Sequence, residues 1–231
     1  LTSVDTDTQY CLAPYLFNDV YEMESFYTSE YAQPLYEKIN ALGLKVVDVM
    51  FGGEQYFMSN GDSIRNIDGF QGKKVRGAMT QALYDALGAS VTTVSFNELY
   101  TAMQTKLVDI AVTSIDSAVN IQLQEVLESV SAYKIQYAPY LIMFNQAVWD
   151  SYPEALQNVI EEGLEMAREK QLEYTDETCA AAIELVKSSC DFYEASDEEI
   201  AELKALWQPI VEEYVSSKWI DAIAEFREAN Q

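Results

Sequence analysis

The feature that most constrains the fold is an alternation of strand and helix patterns in the middle of the sequence. KKVRGA (73–78), SVTTVS (90–95) and LVDIAVT (107–113) have the length and composition of short strands. Between them, TQALYDALG and FNELYTAMQTK have helical spacing, and Ser95-x-x-Glu98 is a capping-box pattern. Strands that alternate with helices pair in parallel, so this section predicts an α/β fold.

Two more strands and a long helix are predicted around this section. LKVVDVMF (44–51) is typical of a buried strand that Gly52 ends, and APYLIMFN (138–145) predicts another. Between 113 and 138, residues 116–131 have helical spacing. A helical pattern then runs from Ser151-x-x-Glu154 towards residue 189, and two further helices are expected around Pro209. About 35 helical residues span roughly 50 Å, enough to brace two lobes.

The composition excludes several classes of function. The 38 acidic and 14 basic residues give a formal net charge of −24, which makes nucleic acid a poor partner. Histidine is absent and the three cysteines have no metal-binding spacing, so we expect no metal, no cofactor and no enzymatic activity. Cys179 and Cys190 are either free or, if the chain is exported, joined in a disulfide. The sequence lacks a membrane-spanning apolar run and does not open with a signal-peptide pattern.

Polar and aromatic residues follow the predicted strands, where open α/β sheets bind their ligands. They are Gln55 and Tyr56 after the first strand, Arg76 and Phe96 beside the next two, and Thr113. A guanidinium matches a carboxylate through paired, charge-assisted hydrogen bonds. The other side chains supply an aromatic face, an amide and hydroxyls. Two alternatives stay open: Arg76 is a surface residue paired with a carboxylate, and Phe96 belongs to the core.

The central segment resembles the core of the DctP-type solute-binding proteins of TRAP transporters. The matching residues occur in the family's order, namely Asp68, Gly72, Lys74, Arg76, Leu87-Gly88-Ala89, Phe96, Glu98, Tyr100, Ala102, Gln104, Thr105, Val108 and Asp109. LAPYLF (12–17) and VWDSYPEALQNVIEEG resemble two further family elements. The resemblance covers about residues 10–175.

This resemblance implies a two-lobed, periplasmic-binding-protein-like α/β fold with a long helix bridging the lobes. The protein would act outside the cytoplasm after removal of a signal peptide that this chain does not contain. It would close around a small organic acid and deliver it to TRAP permease subunits in the membrane. The family's carboxylate-binding arginine falls on Arg76, and its ligand-covering aromatic residue falls on Phe96.

The chain departs from the family pattern at four places. Gly77-Ala78 replaces the usual Val-Pro, Thr113 replaces a ligand-contacting asparagine, and Gln55 replaces a second arginine of the sialic-acid-binding members. These changes argue against sialic acid as the ligand. The chain also begins almost at the LAPYLF element, so we expect truncation at its amino-terminal end relative to the family.

An incomplete first lobe follows from that expectation. Residues 1–72 would be the remaining part of the first lobe, residues 73–145 the α/β core of the second, and residues 146–231 the bridging and carboxyl-terminal helices. The alternative function is a truncated or repurposed lobe that acts as an interaction or structural protein without binding ligand, for which a homodimer is one assembly.

Overall fold

The computed structural model describes Tyr10, residues 13–77 and residues 79–230. Leu12 of the LAPYLF element and Ala78 therefore lie outside the described residues. The helices are α1 Val20–Tyr27, α2 Gln33–Asn40, α3 Gln81–Asp85, α4 Leu99–Gln104, α5 Ile115–Asn120, α6 Gln146–Asp150, α7 Glu154–Ser189, α8 Asp197–Tyr214 and α9 Ser217–Ala229. The strands are β1 Leu44–Phe51, β2 Gln55–Ser59, β3 Lys74–Arg76, β4 Ser90–Val91, β5 Ile110–Ser114, β6 Ser129–Ala132, β7 Pro139–Asn145 and β8 Asp191–Glu194.

The strands form one sheet of six and one of two. The larger sheet has the order β4-β3-β5-β2-β6-β8, and β1 pairs with β7 in the smaller one. Strand β3 runs parallel to β4 and β5, as the central alternation predicts. Strand β2 is antiparallel to both of its neighbours, and β1 is antiparallel to β7. The α/β prediction is confirmed, with a mixed rather than purely parallel large sheet.

Three segments connect the two sheets. Residues 52–54 lead from β1 to β2, and residues 133–138 return from β6 to β7. The two segments hydrogen-bond to each other, since the Gln55 N–H donates to the Gln136 carbonyl at 2.9 Å and the Gly52 N–H to the Ala138 carbonyl at 3.0 Å. The third connection is α7, whose 36 residues extend over about 54 Å. The predicted bridging helix is therefore present.

Helix α7 contacts both sheets through different parts of its length. The Phe51 N–H at the end of β1 donates to the Gln171 side-chain oxygen of α7 at 3.1 Å. Nearer the helix end, Val186 is fully buried against the large sheet.

Hydrophobic residues cover both faces of the large sheet. Phe57 and Val112 pack on one face in a cluster that includes Trp207 of α8 and Trp219 of α9. The Trp207 indole N–H donates to the Leu83 carbonyl at 2.9 Å. On the other face lies a second cluster that contains helices α4, α5 and α7. The alternation of side chains along each strand produces these two cores.

Several predicted elements differ from the structure. The helical prediction for residues 116–131 is wrong beyond Asn120, because Ser129–Ala132 forms β6. The strand predicted at 90–95 is only Ser90–Val91. Pro209 lies inside α8 rather than between two helices; burial of Trp207 and Val211 on either side holds the helix together there.

Cys179 and Cys190 are free thiols, so the disulfide alternative is wrong. Eleven residues of helix separate their backbones by about 16 Å, far beyond the ~6 Å at which two Cα atoms are bridged. Burial, and then the neighbouring Asp116 carboxylate, raise the pKa of the Cys179 thiol to about 12. The thiolate that a nucleophilic cysteine needs is therefore disfavoured at neutral pH.

Candidate ligand-binding site

The edge of the large sheet where β3 and β5 end carries most of the predicted site residues. Arg76 ends β3 opposite Ala111 of β5, and Thr113 of β5 pairs with Tyr56 of β2. Since paired and alternate residues share a face, Arg76, Thr113 and Tyr56 lie on one face of the sheet. Gln55 lies on the opposite face. Strand β5 separates β3 from β2, so two strand spacings, about 10 Å, lie between their backbones.

Arg76 is half-buried, and its side chain bonds to a backbone oxygen. Its Nε donates to the Val94 carbonyl at 3.2 Å. Burial lowers the pKa of the guanidinium, and the nearby Tyr84 opposes this shift only in part. Among the described residues, no Asp or Glu forms an ion pair with it. The alternative of Arg76 as a surface residue paired with a carboxylate is therefore not supported by this part of the chain.

Phe96 lies beside the Arg76 guanidinium, with the guanidinium carbon 5.9 Å from the centre of its ring. Phe96 is 36% exposed, so it is not a core residue. It opens a short 3-10 helix, Phe96–Glu98, where the Ser95 hydroxyl donates to the Glu98 carboxylate at 2.7 Å but makes no backbone cap. The cation can pair with an anion, and the exposed ring offers an apolar surface beside it.

The remaining three predicted residues are nearly enclosed. Gln55, Tyr56 and Thr113 are 9%, 6% and 7% exposed. The Gln55 side-chain oxygen accepts a hydrogen bond from the Gln136 amide at 3.1 Å. Tyr56 packs edge-on against Phe192 with ring centres 6.2 Å apart. All three side chains are less exposed than Arg76 and Phe96.

Glu54 is a residue of this edge to which the sequence analysis assigns no role. Its two carboxylate oxygens accept hydrogen bonds from the Tyr56 and Tyr137 hydroxyls, each at 3.0 Å. Burial, together with the Glu54 charge, raises the pKa of both tyrosines, so both hydroxyls remain donors. The only sequence signal was its place directly after the Gly-Gly pair that ends β1. Tyr137 belongs to residues 133–138, and nothing in the sequence indicates that this segment lies next to Glu54.

The described residues contain no cluster of His, Cys, Asp and Glu that would hold a metal ion. Within the same residues, no helix is both long and apolar enough to cross a membrane.

Comparison with known proteins identifies the family. The sequence model of DctP, described as bacterial extracellular solute-binding protein, family 7, matches residues 1–218. The C4-dicarboxylate-binding periplasmic protein DctP of Rhodobacter capsulatus is 25% identical over 225 residues, which are 94% of this chain and 66% of that protein. The chain thus spans two thirds or less of the length of the curated relatives reported first.

Solved structures share the fold. A sugar acid binding protein from Advenella mimigardefordensis, solved with galactonate, has a TM-score of 0.92 at 18% identity. The match covers 100% of this chain and 76% of that one. A TRAP periplasmic solute-binding protein from Shewanella oneidensis, solved with succinate, has a TM-score of 0.85 at 22% identity, covering 94% and 74%. These similarities confirm the two-lobed α/β fold.

The family is one of solute-binding proteins of transporters, so the prediction of a binding protein rather than an enzyme is also confirmed. Because the DctP model matches most of its length, the chain belongs to the DctP family of bacterial extracellular solute-binding proteins.

Proposed function

We propose that this chain binds a small organic acid through a pair between the Arg76 guanidinium and a ligand carboxylate. One observation carries the proposal: Arg76 is a half-buried cation without a carboxylate partner among the described residues, in a chain of net charge −24. With 38 acidic residues available, an arginine left unpaired by the protein is suited to an external anion.

The surroundings of Arg76 support a binding role. Phe96 is exposed beside the guanidinium and covers one side of the ligand. Thr113 and Tyr56 line the same face of the sheet, and Gln55 positions the neighbouring chain segment through Gln136. Closure of the two lobes about residues 52–54 and 133–138 encloses the bound acid.

The relatives favour an extracytoplasmic transport role. Proteins of similar fold have been solved with galactonate and with succinate, both of them carboxylates. A relative in Rhodobacter capsulatus is a periplasmic C4-dicarboxylate-binding protein. By this analogy the present chain acts outside the cytoplasm and delivers its acid to the membrane subunits of a TRAP permease.

Replacement of Arg76 tests this function directly. In calorimetric titrations with galactonate and succinate, we expect at least one acid to bind, and Arg76→Met to weaken that binding at least tenfold. Methionine keeps an unbranched apolar stem but removes the charge-assisted hydrogen bonds, each of which contributes about 1.5–3 kcal/mol. Arg65→Met is the matched control, because Arg65 is exposed and pairs with Asp191. Equal affinities in the wild type and Arg76→Met would contradict the proposal.

Self-association is the second candidate function, and exposed apolar residues favour it. Tyr140 and Met143 of β7 are 54% and 38% exposed, and Val159 and Met166 of α7 are 64% and 69% exposed. They lie on and near the small sheet, where two strands alone give limited stability. Light scattering across a concentration series distinguishes the candidates: a homodimer without acid binding supports this role, and a monomer at every concentration contradicts it.

A further inference from the structure

A second unneutralised charge lies at the same sheet edge as Arg76. Glu54 is half-buried, and each of its two oxygens accepts a hydrogen bond from a tyrosine hydroxyl. Within the described ranges, no lysine or arginine forms an ion pair with it. Two tyrosine donors hold the carboxylate in place without cancelling its charge, so Glu54 retains acceptor capacity for a further donor.

The strand register separates Glu54 from Arg76. Arg76 pairs with Ala111 of β5, which pairs with Met58 of β2. Glu54 lies four residues before Met58, directly ahead of β2, and is therefore two strands away from Arg76. These offsets place the two backbones roughly 16 Å apart. Glu54 accepts hydrogen bonds from Tyr56, on the face that Arg76 and Thr113 share, and from Tyr137, which packs against the cluster on the other face, so its carboxylate lies at the sheet edge between the two faces. The two charges therefore do not neutralise each other, and a ligand that contacts both must span several carbons.

Arg76 and Glu54 offer different chemistry to the two ends of a ligand. A guanidinium only donates hydrogen bonds and attracts a carboxylate, whereas a carboxylate only accepts them and repels another carboxylate. Gln55 stands where some relatives have a second arginine, and its side-chain oxygen already accepts a hydrogen bond from Gln136. The far end of the ligand therefore meets an acceptor rather than a second cation. A hydroxyl group satisfies Glu54, whereas a second carboxylate would lie next to an unneutralised negative charge.

We infer, on the basis of the proposed function, that Glu54 is a specificity-determining residue that selects hydroxylated monocarboxylic acids over dicarboxylic acids. Arg76 binds the carboxylate of such an acid, and Glu54 accepts a hydrogen bond from a hydroxyl at the other end. The discrimination has an attractive part and a repulsive part, which is how sites usually achieve specificity between similar ligands.

Galactonate and succinate are suitable probes, because the first has one carboxylate with several hydroxyls and the second has two carboxylates. We expect the wild type to bind galactonate at least tenfold more tightly than succinate in calorimetric titrations. In Glu54→Gln, we expect this ratio to fall at least fivefold, because the amide removes the repulsion and keeps an oxygen for one tyrosine. Glu128→Gln, which removes the same charge from an exposed position paired with Lys106, is expected to leave the ratio unchanged.

The outcomes separate this inference from the proposed function. If both acids bind less tightly to Arg76→Met but the wild type prefers succinate, the Glu54 inference is wrong and the function stands. An unchanged ratio in a Glu54→Gln protein with wild-type circular dichroism also overturns the inference. If neither acid depends on Arg76, the proposed function itself fails. The preference of the wild type for galactonate over succinate is measured without any variant. It therefore tests the inference even if Glu54→Gln misfolds.

Discussion

Arg168→Met is expected to lower the free energy of unfolding by about 3–5 kcal/mol, the usual effect of removing one partner from a buried charge pair. Arg168 of α7 forms ion pairs with Asp48 of β1 and, at 3.1 Å, with Glu24 of α1. The three side chains are 12%, 8% and 24% exposed. Burial alone would lower the pKa of this guanidinium, but the two carboxylates outweigh it and raise the pKa. Without the arginine, both carboxylates stay enclosed and uncompensated.

Denaturant unfolding followed by circular dichroism measures this loss. Lys170→Met is the control, because Lys170 is 78% exposed and pairs with the exposed Glu173, so its change should stay within about 0.5 kcal/mol. Adding Asp48→Asn to Arg168→Met should restore part of the stability, because it removes the more buried of the two carboxylates that have lost their cation. A loss below 1 kcal/mol, or no recovery in the double variant, would show that the uncompensated charge is not the cause.

Local patterns predicted the central fold because each of its elements is short and bounded by its own signals. The strand around Arg76, the helix that Gly88 follows and the long α7 were all predictable from neighbouring residues. Strand β2 was missed because all five of its residues are buried, so it has no alternation of polar and apolar positions. Residues 129–132 were assigned to a helix because nothing local shows that they pair with β2.

The residues of the candidate site also differ in whether local sequence patterns identify them. Arg76 and Phe96 were predictable because strand ends are ligand-binding positions and both residues lie next to such an end. Glu54 was not, because its role depends on Tyr137, which is 83 positions away in the sequence and reaches Glu54 only through the returning segment. That no described lysine or arginine pairs with Glu54 likewise depends on how distant parts of the chain pack together.

Gly77→Ala is expected to destabilise the protein by about 3 kcal/mol, the upper end of the usual overpacking effect, and to weaken acid binding. A Cβ atom at position 77 would lie 1.8 Å from the Tyr84 hydroxyl oxygen and 3.3 Å from the Val112 Cβ. Tyr84 is fully buried in α3 within the larger hydrophobic core, so a displaced ring would meet packed neighbours. We therefore expect the backbone of Gly77 to shift, and Arg76 is the preceding residue. Chemical denaturation and calorimetry of the same variant measure both effects.

Gly163→Ala is the matched control, because nothing lies within 4 Å of a Cβ at position 163 in the exposed middle of α7. There, alanine should stabilise the helix by up to about 1 kcal/mol. In the double variant Gly77→Ala/Tyr84→Phe, loss of the hydroxyl should recover part of both stability and affinity, although the ring carbon that bore it stays 2.8 Å from the new Cβ. The Tyr84 hydroxyl occupies the space that a Cβ at position 77 would need, so the glycine and this hydroxyl fit each other as a pair. If Gly77→Ala proved as stable and as tight-binding as the wild type, that pairing would not be what positions Arg76.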